Sequence, residues 1–146
     1  MPTAAKLVGA ILFFGIGWVA AGFVLDTFPE EMAATYFPLT IGLIGVWQGW
    51  MVAGGNAGGG IGASVGQGAR TSVQMAFFGI LLFALREMFR RSSNLRYDSP
   101  GEAVIATLEL FRDYFLQSLT IPIWGTLLIG GMIAGALVEI ASKLWK

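Results

Sequence analysis

The stretch LVGAILFFGIGWVAAGFVL, residues 7–25, carries no charged side chain and fills most of its positions with Leu, Val, Ile, Phe and Ala. A bilayer's hydrocarbon core is about 30 Å thick and takes about 20 helical residues to cross. The stretch is therefore predicted to be a membrane-spanning helix. Lys6 before it and small residues at 20–22 imitate a signal peptide, but the apolar core of such a peptide runs to about 7–15 residues, so a retained span is expected.

Working outward, residues 35–53 and 114–138 are likewise free of charge, and a shorter apolar run, 71–85, lies between Arg70 and Arg86. At 1.5 Å per residue that run covers only about 22 Å, so its helix must borrow uncharged residues from the preceding Gly/Ala/Ser segment. The helix is expected to start near Ile61. The predicted fold is thus an all-α integral membrane protein forming a single domain over 1–146. It has four transmembrane helices, at about 6–25, 36–53, 61–91 and 121–143, and a short amphipathic interfacial helix at about 100–119.

Two capping boxes, in which a Ser or Thr is followed three residues later by Glu, mark helix starts. Thr27 with Glu30 predicts a surface turn before Pro38 enters the second span. Ser99 with Glu102, and Pro100 at the tolerated first helical position, opens the interfacial helix. On a helical wheel Val104, Leu108, Phe111, Phe115 and Leu119 share one face, and Glu102, Glu109, Asp113 and Gln117 gather opposite. The acidic polar face suits packing on the protein's own spans or a partner better than capture of anionic lipid, which favours basic helices. Tyr36, Trp47, Trp50, Trp124 and Trp145 lie near span ends, where amphipathic rings settle at the interface.

Composition narrows the chemistry. The chain has no Cys and no His, and its formal charge is zero. Thiol and zinc-thiolate chemistry are excluded, and the usual metal and haem ligand is missing. No cofactor is expected. A nucleic-acid partner would require a basic surplus and is not expected either. The carboxylates lie in loops, on one helix face or, for Glu139, at a span end, and are expected to be solvated rather than catalytic.

Glycine offers the recurring pattern. Gly45 and Gly49, and Gly131 and Gly135, are G-x-x-x-G pairs, and Gly58, Gly62 and Gly66 recur once per turn. Such stripes let membrane helices approach closely, so all seven are predicted helix-packing positions. Arg70, beside the glycine-rich segment, is the most suggestive ionisable residue. A guanidinium with exposed backbone N–H groups can bind an oxyanion, whereas a snorkelling side chain needs no function. Orientation stays open: the arginine-rich loop before the last span favours that side as cytoplasmic, while Lys6 argues the reverse.

The opening residues 1–7, the glycine-rich segment, and the run Leu82-Phe-Ala-Leu-Arg-Glu-Met-Phe-Arg-Arg91 to Leu95-Arg-Tyr-Asp98 resemble the TrgA-like family, over the whole chain. These are small multi-span proteins of the alphaproteobacterial inner membrane, named for an association with tellurite resistance. The resemblance implies a multi-pass inner-membrane location and supplies no catalytic residues. Two functions are expected to compete. One is a non-catalytic accessory or scaffold subunit of a respiratory or photosynthetic complex, with the lipid bilayer and other membrane subunits as partners. The other is a small-solute or oxyanion channel or exporter using Arg70.

Overall fold

The structure, a computed structural model, describes residues 3–27, 37–93 and 98–145. The helices are α1 (Ala4–Thr27), α2 (Phe37–Gln48), α3 (Ile61–Ser92), α4 (Pro100–Ser118) and α5 (Ile121–Leu144), and α2 runs directly into a π-helical turn, Gly49–Ala53. No strand occurs among the described residues. Glu30 of the expected capping box and Tyr36 fall outside the described residues, as does Arg96.

Three helices are long and apolar enough to cross a membrane: Ala4–Asp26, Ile61–Ser92 and Ile121–Leu144. This is the mark of a membrane protein. The segment expected to be a fourth span is shorter, 12 residues of α-helix and 5 of π-helix. Pro38 lacks a backbone N–H and suits only a first turn, and the glycines from Gly54 onward end the π turn.

α1, α2, α3 and α5 close into a ring in that spatial order, and α4 packs on α3. The ring buries polar side chains within it and turns large apolar ones outward. Leu7, Ile11 and Val19 of α1, Leu43 of α2, Phe77 of α3 and Ile133 of α5 are exposed, whereas Gln48, Ser64, Thr71, Ser72 and Glu139 are at most 4% exposed. Buried polar groups and exposed large apolar ones are the informative departures from a water-soluble pattern. Here they suit a hydrocarbon surround.

Two glycine seams hold the ring. Between α1 and α2, a Cβ at Gly45 would collide with the Phe13 carbonyl, and one at Gly49 with the Gly9 carbonyl. Between α3 and α5, Gly68 faces Gly131 and Gly135, and a Cβ on any of the three would meet the opposing backbone or the Ser72 hydroxyl. Without a hydrophobic drive between helices in lipid, such close contact is a main source of association.

At the start of α4, Ser99 Oγ accepts from the Glu102 N–H at 3.3 Å, and the Glu102 carboxylate accepts from the Asp98 N–H at 2.9 Å. The reciprocal bond thus lands one residue earlier than in the usual box. α4 shows three faces. Leu110 is buried on Ala84 and Met88 of α3, with Ala103, Phe111 and Tyr114 beside it. Val104, Leu108, Phe115 and Leu119 are exposed apolar residues. Glu102, Glu109, Asp113 and Gln117 are exposed on the third side. Phe111 therefore belongs to the protein-facing sector rather than to the open apolar one.

Candidate functional site

The most elaborate polar arrangement lies where the 54–60 loop crosses the end of α5. Glu139 is 0% exposed. Its carboxylate accepts from the backbone N–H of Gly58 at 2.7 Å, from that of Gly60 at 3.1 Å and from Ser64 Oγ at 2.8 Å, and Lys143 Nζ stands 3.5 Å away. The loop reaches this geometry through Gly58 and Gly60, both with positive φ, 108° and 101°, a region L side chains rarely enter. Gly60 is also the N-cap of α3. The buried carboxylate therefore satisfies the N-cap N–H and lies at the positive end of that helix, in place of an external ligand.

This corrects the expectation that Glu139 is a solvated span-end carboxylate. A helix-end acid looks exposed until the chain supplies donors to bury it, and here they come from residues about eighty positions away. One signal was available: Glu139 is the sole charged residue from Tyr114 through Ser142, and intramembrane acids usually face the bundle interior with a partner. Chemically, a carboxylate holding four donor groups is a latch. Its lone pairs are committed to loop, helix and lysine.

Of the predicted packing glycines, Gly45, Gly49, Gly131 and Gly135 sit at the two seams. Gly58, Gly62 and Gly66 do not, and none of the described residues packs over them. A Cβ on any of them would have no atom within 4 Å. Gly58 lies in the loop. Gly62 and Gly66 are about 200° around α3 from Ser64 and Gly68, because a helix turns by about 100° per residue. The buried stripe on α3 is Ser64, Gly68 and Ser72, which a search for glycine alone misses.

Arg70 continues the outward stripe and is exposed. No carboxylate pairs with it among the described residues. The glycines nearest Arg70, Gly66 and Gly68, lie inside α3, where backbone N–H groups bond along the helix and are not free to hold an oxyanion. Toward the other end of α3, Glu87 is paired with two arginines. Glu87 takes both oxygens to Arg90, at 2.8 and 2.7 Å, and one to Arg91, at 2.9 Å.

A 70 Å³ cavity lies deeper, lined by Ala20, Ala21, Phe37, Met75, Gly79 and Trp124 among others. It is apolar and about half the size of an engineered cavity that holds benzene. No group of three or more acidic, His or Cys side chains suited to a metal occurs among the described residues. Comparison with protein-family models, curated proteins and solved structures finds no match.

Proposed function

We propose that this chain is a non-catalytic, four-span protein of the bacterial inner membrane and serves as an accessory or scaffold subunit of a larger respiratory or photosynthetic complex. The observation that carries the reading is the outward face of α3. Gly62, Gly66 and Arg70 lie on it one turn apart, exposed, with nothing packed over the two glycines. Small residues facing lipid forgo the packing that larger ones would make with acyl chains, whereas against another helix they allow backbone approach. An arginine on the same face adds a hydrogen-bond donor and a charge that a partner carboxylate or carbonyl can satisfy.

In this reading α2 and its π turn cross as the fourth span, tilted or flanked by a locally thinned bilayer, at modest cost for a short helix. α4 lies along the interface. Its three sectors give it α3 on one side, acyl chains against Val104, Leu108, Phe115 and Leu119 on the second, and water against its acidic third. That division is what an interfacial helix requires. The resemblance to TrgA-like proteins adds tellurite tolerance as the associated phenotype, arising here through the host complex and the membrane's redox state. An oxyanion exporter built on Arg70 has less support, because the residue lies on the outer face of the bundle and the neighbouring glycine N–H groups are occupied.

Co-purification from native membranes in a mild detergent tests the proposal. The wild-type chain should elute with larger membrane proteins, and Gly62→Leu and Gly66→Leu should release it as an intact, folded monomer. Wild-type protein that elutes alone or as a small homo-oligomer would overturn the scaffold reading.

A further inference from the structure

The packing of α3 on α5 sets Arg70 at the middle depth of the bundle. Gly68 and Ser72, the buried residues two positions to either side of it, both face Gly131. At 1.5 Å per residue, Gly131 lies about 15 Å from the start of α5 at Ile121 and about 20 Å from its end at Leu144. One residue earlier, a Cβ on Gly130 would stand 3.3 Å from Ile16, near the middle of α1. Snorkelling serves long side chains near helix ends, and a guanidinium at this level is too deep for it.

The chain offers this charge no counterpart. Among the described residues no carboxylate pairs with Arg70, and its polar neighbours along the helix, Gln67 and Gln74, are neutral. Within residues 7–25, 37–85 and 114–142 the sole carboxylate is Glu139, which is 0% exposed and holds the 54–60 loop. A second copy of the chain therefore has no acid to present at that depth. Lipid phosphates lie at the bilayer surface, about 15 Å from its midplane. The surface around Arg70 is shaped for a helix. Gly62, Gly66, Arg70, Val73 and Phe77 are all exposed, and steps of four, four, three and four residues keep them on one side of α3. Further along, the chain covers the same side itself: Phe77 meets Phe111 of α4 with ring centroids 5.4 Å apart, and Ala84 and Met88 pack with Leu110. The first half, around Arg70, stays exposed.

We infer that this face receives a transmembrane helix of a different protein, one that carries an Asp or Glu at mid-membrane and pairs it with Arg70. The inference rests on the scaffold reading and adds the chemistry of the partner. Intramembrane charges ordinarily pair with one another, and a carboxylate matches the planar guanidinium fork with two parallel hydrogen bonds. Gly62 and Gly66 let the partner's backbone come close one and two turns away, which brings a short acidic side chain within reach. Val73 and Phe77 extend the contact with apolar surface on the other side of the charge.

The probes are synthetic Leu/Ala transmembrane peptides that share a Gly-x-x-x-Gly face and differ at one central position, which is Glu, Gln or Leu. Energy transfer in phosphatidylcholine vesicles reports their association with the full chain, labelled at a cysteine introduced at the exposed Asn56. Wild type should bind the Glu peptide roughly tenfold or more tighter than the other two, the scale set by close charge pairs across interfaces. Arg70→Leu should lose that preference while keeping the weaker association of the Leu peptide. Arg70→Glu should transfer the preference to a peptide with a central Lys, a reversal that a merely structural arginine does not predict. Equal binding of the Glu and Leu peptides by wild type would overturn the inference, as would binding of none. Self-association of the wild-type chain that Arg70→Leu abolishes would overturn it too, by making a second copy the partner. The scaffold reading fails on a different measurement, elution of the wild-type chain alone from native membranes, so the two failures are told apart.

Discussion

Two stripes on the first half of α3 have the same spacing and opposite fates. Ser64, Gly68 and Ser72 are buried against α5, where Gly131 and Gly135 approach backbone to backbone. Gly62, Gly66 and Arg70, offset by two residues, face outward, and the two glycines touch nothing. A small-x-x-x-small pattern thus specifies a smooth face and leaves open whether the chain itself covers it. The inner stripe carries hydroxyls that can bond across helices in place of some glycines. The outer one is pure glycine closed by a charge.

The largest effect should come from the inner stripe. Gly68→Leu drives a branched side chain into the Gly131 backbone. Both helices are pinned elsewhere, by the Glu139 latch and by Leu127 and Ile123 in the core. Overpacking commonly costs about 1–3 kcal/mol, and a backbone contact belongs at or beyond the top of that range. Denaturation in detergent should show it as a large loss of midpoint or a failure to accumulate. A near-neutral Gly68→Leu would mean that the seam can open, and the contrast between the stripes would collapse.

Next comes the latch that sets the depth of the inner stripe. Glu139→Gln keeps a single acceptor oxygen for three donors and removes the charge beside Lys143 and the start of α3. The 54–60 loop should loosen while the seam below stays closed. Because the chain contains no native cysteine, one introduced at Asn56 reports loop opening cleanly by its maleimide labelling rate. Labelling should be faster in Glu139→Gln than in wild type, and faster in Ser64→Ala to a lesser degree. Unchanged rates in both would show that the loop is held by something other than the carboxylate.

These contrasts also measure what the sequence made legible. Helix α3 begins at Ile61, a boundary argued from the shortfall in length of 71–85. The Ser99 cap announced α4. Both are local properties, in which a few neighbouring residues settle the outcome. The Glu139 latch joins residues about eighty apart, and nothing near Glu139 advertises donors that arrive from the far end of another helix. The rotational setting of α3 was equally hidden. With glycine, alanine and serine on all sides of residues 61–72, no side is greasier than another and nothing marks the inner face. The bulk that would set it belongs to Phe77, Phe78 and Phe83 further along. The expected second span, 36–53, is helical from Phe37 to Ala53, but its change from α-helix to π-helix at Gly49 had no signal in the sequence.

Smaller still is the expected cost of filling the outer stripe. Gly66→Leu should change the stability of the isolated chain by no more than about 0.5 kcal/mol, the usual range for a surface site. Leucine's better helix propensity over glycine acts in its favour. The loss should appear only in association with partner subunits. A substitution that unfolds the monomer would show that this face is covered by the chain's own residues.

Arg70 should give the smallest effect and the finest division. If it only anchors the helix by reaching the interface along its apolar stem, Arg70→Lys is nearly silent in membrane yield, complex formation and tellurite tolerance alike, since lysine snorkels too. If a partner carboxylate grips its planar fork, lysine loses the bidentate geometry and complex formation weakens while yield holds. If it binds an oxyanion, tolerance falls with yield and association both intact. Arg70→Leu separates the first two more sharply, because it removes the charge and makes the span more apolar. Higher membrane yield with lost association would assign Arg70 to a partner. Full association in both variants would leave Gly62 and Gly66 to dock the partner unaided, and the charge at the end of the outer stripe would then belong to the lipid boundary.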